Sequence, residues 1–145
     1  RKIDPEVAME KNTWFHLGRN SCEEILYCLR RIADPCEEHV DNNFVPLSKE
    51  QVKEYIPLRD TVLFLLRRTG KILQTDSYGE VDDVRREAEE LKDCLEKARE
   101  AQMQRMQSSK ENITVAYLYL NLLQETRELT SSLRHLLRAS KGFRE

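Results

Sequence analysis

Residues 80–141 contain neither glycine nor proline. A stretch that long without a backbone breaker excludes a β-rich or loop-rich half, because strands need turns and turns use those residues. Apolar residues recur through it at helical spacing, so the expectation is two long helices folded back across residues 108–112. The chain also lacks an excess of either charge: 24 basic residues stand against 26 acidic ones, for a net charge of −2. That balance gives no electrostatic reason to bind nucleic acid. No apolar run approaches the roughly 20 residues of a membrane span; the longest is 62–66, Val-Leu-Phe-Leu-Leu.

Catalytic motifs are missing as well. There is no G-x-S-x-G, no P-loop and no dinucleotide-type glycine pattern. Cys22, Cys28, Cys36 and Cys94 form no C-x-x-C, and no histidine lies at zinc-finger spacing from them. They read as small buried thiols of a reducing compartment, with Cys22 and Cys36 sharing a stripe with Ile25, Leu29 and Ile32. The residues three before His16, His39 and His135 are Thr13, Cys36 and Ser132, so the Glu-x-x-His pairs of di-iron bundles are absent. The chain reads as a non-enzyme. It begins at Arg1 without a signal-peptide pattern, and reads as one domain, residues 1–145, taken from a longer protein.

What is present is four amphipathic segments, expected as helices over about 5–40, 48–74, 81–108 and 112–141. Asp4-Pro5-Glu6 is a start signal, with a cap, a proline suited to the first turn and an acid at the positive end. The first segment should bury Leu17, Cys22, Ile25, Leu29, Ile32, Cys36 and Val40, and kink at Pro35. Ser48 with Gln51 three residues on is a capping box opening the second. That segment should bury Val52, Tyr55, Ile56, Val62, Leu63, Leu66, Ile72 and Leu73, with a neighbour packed closely on Gly70. The third should bury Val84, Ala88, Leu91, Leu95, Ala98, Gln102 and Met106. The fourth should bury Ile113, Ala116, Tyr117, Leu120, Leu123, Leu133, Leu136 and Leu137, and end at a capping Gly142.

Short connections make sequential helices antiparallel, so the expected fold is all-α, an up-down antiparallel four-helix bundle. Charge agrees: acids outnumber bases over 80–100, and bases outnumber acids over 48–74. Thr126, Arg127, Thr130 and Ser131 interrupt the apolar pattern of the last helix, and Arg127 is expected at the bundle edge.

Two short segments stand out. Leu29-Arg30-Arg31-Ile32-Ala33-Asp34 closes the first helix, and Glu89-Glu90-Leu91-Lys92-Asp93 lies on the third. Glu89 and Asp93 are one turn apart and can share a cation through oxygen ligands. The same spacing fits a plain solvated face, with Lys97 one turn beyond Asp93.

With the helix lengths, these segments resemble PhoU, the phosphate-uptake regulator family, whose helices carry a Leu-Glu-Arg-Ile-Gly-Asp-type segment and a Glu/Asp-x-x-x-Asp metal motif. Arg31, Ile32 and Asp34 match the first pattern, while Arg30 and Ala33 depart from it. Glu89 and Asp93 match the second. The last helix keeps the leucine frame over 126–132 but not the motif aspartate. The resemblance implies a PhoU-like bundle and a surface metal (Fe, Zn or Mg) at Glu89, Asp93 and Asp34, with no other cofactor. It further implies a non-catalytic regulatory domain of a membrane phosphate transporter, on the cytoplasmic face of the inner membrane. Its partner would be the transmembrane portion of the same polypeptide, or a second copy in a homodimer. A helical interaction or oligomerisation domain of another membrane protein, such as an exporter, is the alternative, followed by a carboxylate metal-binding bundle.

Overall fold

The computed structural model describes residues 4–42 and 45–145, and among these it is all-helical. Residues 43 and 44 of the first expected loop lie outside the described residues. The helices are α1 (Pro5–Asp41), α2 (Lys49–Thr75), α3 (Val81–Ser108) and α4 (Ile113–Arg144), with a short 3-10 turn at Tyr78–Glu80.

The two predicted helix-start caps form. Asp4 accepts from the Glu6 amide at 2.9 Å. Ser48 and Gln51 exchange both bonds of the capping box, at 3.1 and 2.9 Å. Asn112 accepts from the Val115 amide at 3.1 Å, opening α4. Pro35 lies inside α1 without ending it. Asp76 closes α2 in the left-handed region at φ 54°, where a short polar side chain is tolerated.

Cross-links between helices fix their directions. Arg68 pairs with Glu87 and Arg105 with Glu54, so α2 and α3 are antiparallel. Arg127 with Glu96 makes α3 and α4 antiparallel, and Arg31 with Glu125 and Lys11 with Phe143 do the same for α1 and α4. The chain therefore runs up, down, up, down as expected.

The packing differs from a closed bundle in one respect. α2, α3 and α4 pack on one another as a triangle, α1 packs along α4, and among the described residues no extended interface joins α1 to α2. α4 touches every other helix and is buried nearly all round, through Tyr119, Leu123, Leu129, Leu133 and Leu137. Only Glu125, Arg127 and Glu128 are charged between residues 115 and 133.

This arrangement corrects several expectations. The stripe that α1 turns to α4 is Ser21, Cys28 and His39, flanked by Ile25 and Ile32; Leu17, Cys22, Leu29 and Val40 are exposed. Val52, Ile56 and Leu63 of α2 are exposed for the same reason, since they lie on the flank that a closed bundle would press against α1. Tyr119, not Tyr117, is the buried aromatic of α4, and Ile113 is exposed. Gly70 has open space where a Cβ would stand, so nothing packs on it. Gly142 does not end α4; it lies under the Trp14 ring. By contrast α3 buries Val84, Ala88, Leu91, Leu95, Ala98 and Gln102 as expected.

Candidate functional site

Glu89 and Asp93 both lie on the exposed side of α3, one turn apart. Glu89 forms an ion pair with Arg134 of α4. Asp34 is exposed near the end of α1, level with the first turns of α4, because the Asn121 amide donates to the Arg31 carbonyl at 3.4 Å. Arg134 and Asn121 are separated by about 13 residues of helix, roughly 20 Å. The structure thus brings Glu89 and Asp93 together and leaves Asp34 far from both. Among the described residues no group of three or more His, Cys, Asp or Glu side chains is placed to hold a metal ion.

Arg31, the other motif residue, has a defined task. Its Nε donates to Glu125 at 2.9 Å and one terminal nitrogen donates to Glu24 at 3.0 Å. It also stacks on the Tyr27 ring, 4.6 Å from the centroid. Glu125 comes from α4, so Arg31 ties α1 to the central helix. The Glu125 bond, followed by that to Glu24, holds the guanidinium pKa above its ordinary value. Cys28 sits beneath this cluster, fully buried. Burial, then Glu24, pushes its thiol up to about 11.

A second polar cluster was not anticipated from sequence. Arg105 grips both oxygens of Glu54, at 3.1 and 3.2 Å, and donates to Gln102 Oε1 at 2.7 Å. Gln51 donates to the same Gln102 oxygen at 3.2 Å, and Gln102 donates to Glu111 at 2.6 Å. The Tyr119 hydroxyl donates to Glu54 at 2.5 Å. Burial and then Glu54 raise the Tyr119 pKa, while Glu54 raises that of Arg105. Every charge here has an opposite partner, so the cluster clamps α2, α3 and α4 at one end. The polar interruption of α4 is likewise satisfied internally. Thr126 and Thr130 donate to the carbonyls of Leu122 and Thr126, at 2.7 and 2.8 Å, and Arg127 pairs with Glu96 at the edge.

What remains unsatisfied is apolar surface. On α1, Phe15, Cys22, Leu26, Leu29, Ala33 and Val40 recur at heptad-like spacing on one flank, and all are exposed. On α2, Val52, Ile56 and Leu63 form a matching exposed flank. The two face each other across the open α1–α2 side. Cys36 is among the groups that raise the Tyr55 pKa, and Tyr55 bonds Thr126 of α4 at 2.8 Å. At the other end Phe15 and Cys22 line a cavity of about 440 Å³ with Tyr78, Leu136 and Phe143. Contiguous exposed apolar surface is the kind found at interaction sites. Cys22, Leu29 and Val40 of the first flank and Val52, Ile56 and Leu63 of the second were expected in the core, whereas Phe15, Leu26 and Ala33 were not.

No family model, curated protein or solved structure matches the chain.

Proposed function

We propose that this chain is a PhoU-like regulatory domain of a membrane phosphate transporter, acting by helix-face contacts on the cytoplasmic side and doing no chemistry. The observation that carries the reading is the continuous apolar face along α1 and α2, left open although both helices are otherwise well packed. A domain that works by docking needs such a face. The charged clusters support the same reading, because their acids and bases neutralise each other and hold helices in place. No helix among the described residues is long and apolar enough to cross a membrane; in this reading the transmembrane portion belongs to the rest of the polypeptide. Arg31, Ile32 and Asp34, with Glu89 and Asp93, carry the resemblance that names phosphate as the transported ion.

The test is phosphate uptake by the parent protein with and without residues 1–145, at high and low external phosphate. Loss of the response to phosphate supply is expected. Uptake and regulation that are both unchanged would sink the proposal.

A further inference from the structure

We infer that the open α1–α2 face is self-complementary and docks on the same face of a second copy of this chain, with α1 of each copy lying on α2 of the other. This rests on the regulatory reading above only in taking the face as a docking surface, and it specifies what the face meets.

The argument is the charge at the outer edges of the two apolar flanks, on the sides turned away from each other. Helical spacing places Glu23, Arg30, Asp34, Glu37 and Asp41 along the outer edge of the α1 flank. It places Lys49, Lys53, Asp60, Arg67 and Lys71 along the outer edge of the α2 flank. The first edge is mainly acidic and the second mainly basic. All ten are exposed, and among the described residues only Glu23 and Asp60 have ion-pair partners, in Arg19 and Arg59. The two antiparallel helices lean on the same stretch of α4: the Asn121 amide bonds the Arg31 carbonyl, and Thr126 bonds Tyr55. Cys36 acts on the ionisation of Tyr55, so these two lie level. Equal steps from there bring Asp41 level with Lys49, Glu37 with Lys53, Arg30 with Asp60 and Glu23 with Arg67, each to within about one residue. Only Arg19 and Lys71 set like charges level.

An acidic edge beside a basic edge at matched levels suits a second copy by construction. A two-fold axis along the helices keeps every residue at its own level and lays α1 of one copy over α2 of its partner. Each acidic edge then meets a basic edge, twice in the isologous contact, while Leu26, Leu29, Val40, Val52, Ile56 and Leu63 turn inward. An axis across the helices would set α2 on α2, base against base, which like-charge repulsion opposes. Closure of α1 onto α2 within one chain would leave the outer edges apart, and α1 is already held on α4 by Arg31–Glu125 and by Trp14 over Gly142. Two helices side by side over about 35 Å present roughly 700 Å² per copy, near the value of about 800 Å² per partner in stable interfaces. Exposed ion pairs contribute little singly, so the apolar flanks supply the attraction and the charges choose the arrangement.

The test is analytical ultracentrifugation of the full chain at about 50 μM, where an interface of this size should hold a dimer. Glu37→Lys with Asp41→Lys makes both edges basic at that end, and Lys49→Glu with Lys53→Glu makes both acidic. Each variant alone should dissociate at least about tenfold more readily than the parent chain. Mixed in equal amounts, the two variants restore opposite charges at every crossing, so a heterodimer is expected. Leu26→Gln with Leu63→Gln should dissociate the parent dimer as well. Arg85→Glu with Lys97→Glu makes the same change in net charge on α3 as the α2 variant and should leave the dimer intact. All positions are exposed, and circular dichroism checks that each variant is folded. A parent chain that stays monomeric overturns the inference. So does a dimer that the charge variants leave intact, a mixture that does not pair, or an equal loss in the α3 control, which would mean that net charge alone acts. Failure here leaves the uptake experiment to decide the regulatory reading by itself.

Discussion

The Tyr119 hydroxyl and the Glu54 carboxylate meet at 2.5 Å, although 65 residues separate them in sequence. Arg105 holds the other side of that carboxylate through two bonds, so three helices converge on one acid. Removing the acid leaves an arginine and a phenol half-sequestered without their acceptor. Glu54→Ala is therefore expected to destabilise the fold by about 2–3 kcal/mol, and Tyr119→Phe by about 1 kcal/mol. The double variant should cost less than the sum, because both changes break the same bond. Urea unfolding of the four proteins measures the coupling. Strict additivity would show that the bond contributes nothing.

The glycines separate two physical effects. A Cβ at Gly70 meets nothing within 4 Å, so Gly70→Ala should gain up to about 1 kcal/mol of helix propensity. A Cβ at Gly142 would stand 2.5 Å from Trp14 Cε2 and 2.9 Å from Cε3. Gly142→Ala gains the same propensity but must displace the ring. Trp14 is the only tryptophan, so its emission reports the change directly. A red shift and a lower urea midpoint are expected for Gly142→Ala, with unchanged emission and a higher midpoint for Gly70→Ala. Unshifted emission in Gly142→Ala would mean that Trp14 does not pack there.

The contrast between α3 and α1 shows what periodicity can convey. α3 meets its neighbours with one narrow stripe, and that stripe is its only apolar one, so Val84 through Gln102 were readable. α1 carries two candidate stripes. The more apolar one, with Cys22, Leu29 and Val40, is exposed, and the buried one uses Ser21, Cys28 and His39. Hydrophobicity alone chooses wrongly there, because the winner depends on which flank α4 occupies. His39 is accommodated by donating to the Val45 carbonyl at 2.6 Å, a bond no spacing rule foretells. The central place of α4 had a signal in its few charges between 115 and 133. The Glu54–Arg105–Tyr119 cluster had none, because its members come from three helices. Of the candidate metal ligands, the i, i+4 pair Glu89 and Asp93 was readable by local geometry, whereas the distance to Asp34 depends on tertiary packing.

Thiol chemistry should follow burial. Cys22 and Cys94 are exposed, whereas Cys28 is buried and its thiol is held neutral far into the alkaline range. Since the thiolate is the reactive form, iodoacetamide at about pH 8 should label Cys22 and Cys94 first and leave Cys28 intact in the folded protein. Cys36 is half-buried, with its pKa raised by burial, and should react at an intermediate rate. Peptide mass mapping over time reads the order. Early modification of Cys28 would contradict its place under the Arg31–Glu125–Glu24 cluster.

The same thiol makes stability depend on alkaline pH, and the sign is fixed by linkage. Cys28 titrates near 9 when unfolded and at about 11 when folded. Between those values the unfolded chain has released the proton that the folded chain still holds, so rising pH favours unfolding. The contribution is whole below about pH 9 and falls through that window by at most about 1.4 kcal/mol per pH unit. The phenols of Tyr55 and Tyr119, both raised from 10, add loss of the same sign at higher pH. Cys28→Ala lowers stability at every pH by leaving a small void, so the absolute midpoint is not the test. The test is the slope of unfolding free energy between about pH 9 and 11, which should be shallower in Cys28→Ala than in the parent chain. Parallel slopes would mean that Cys28 ionises as readily in the fold as out of it, and that its burial against Glu24 has no electrostatic consequence.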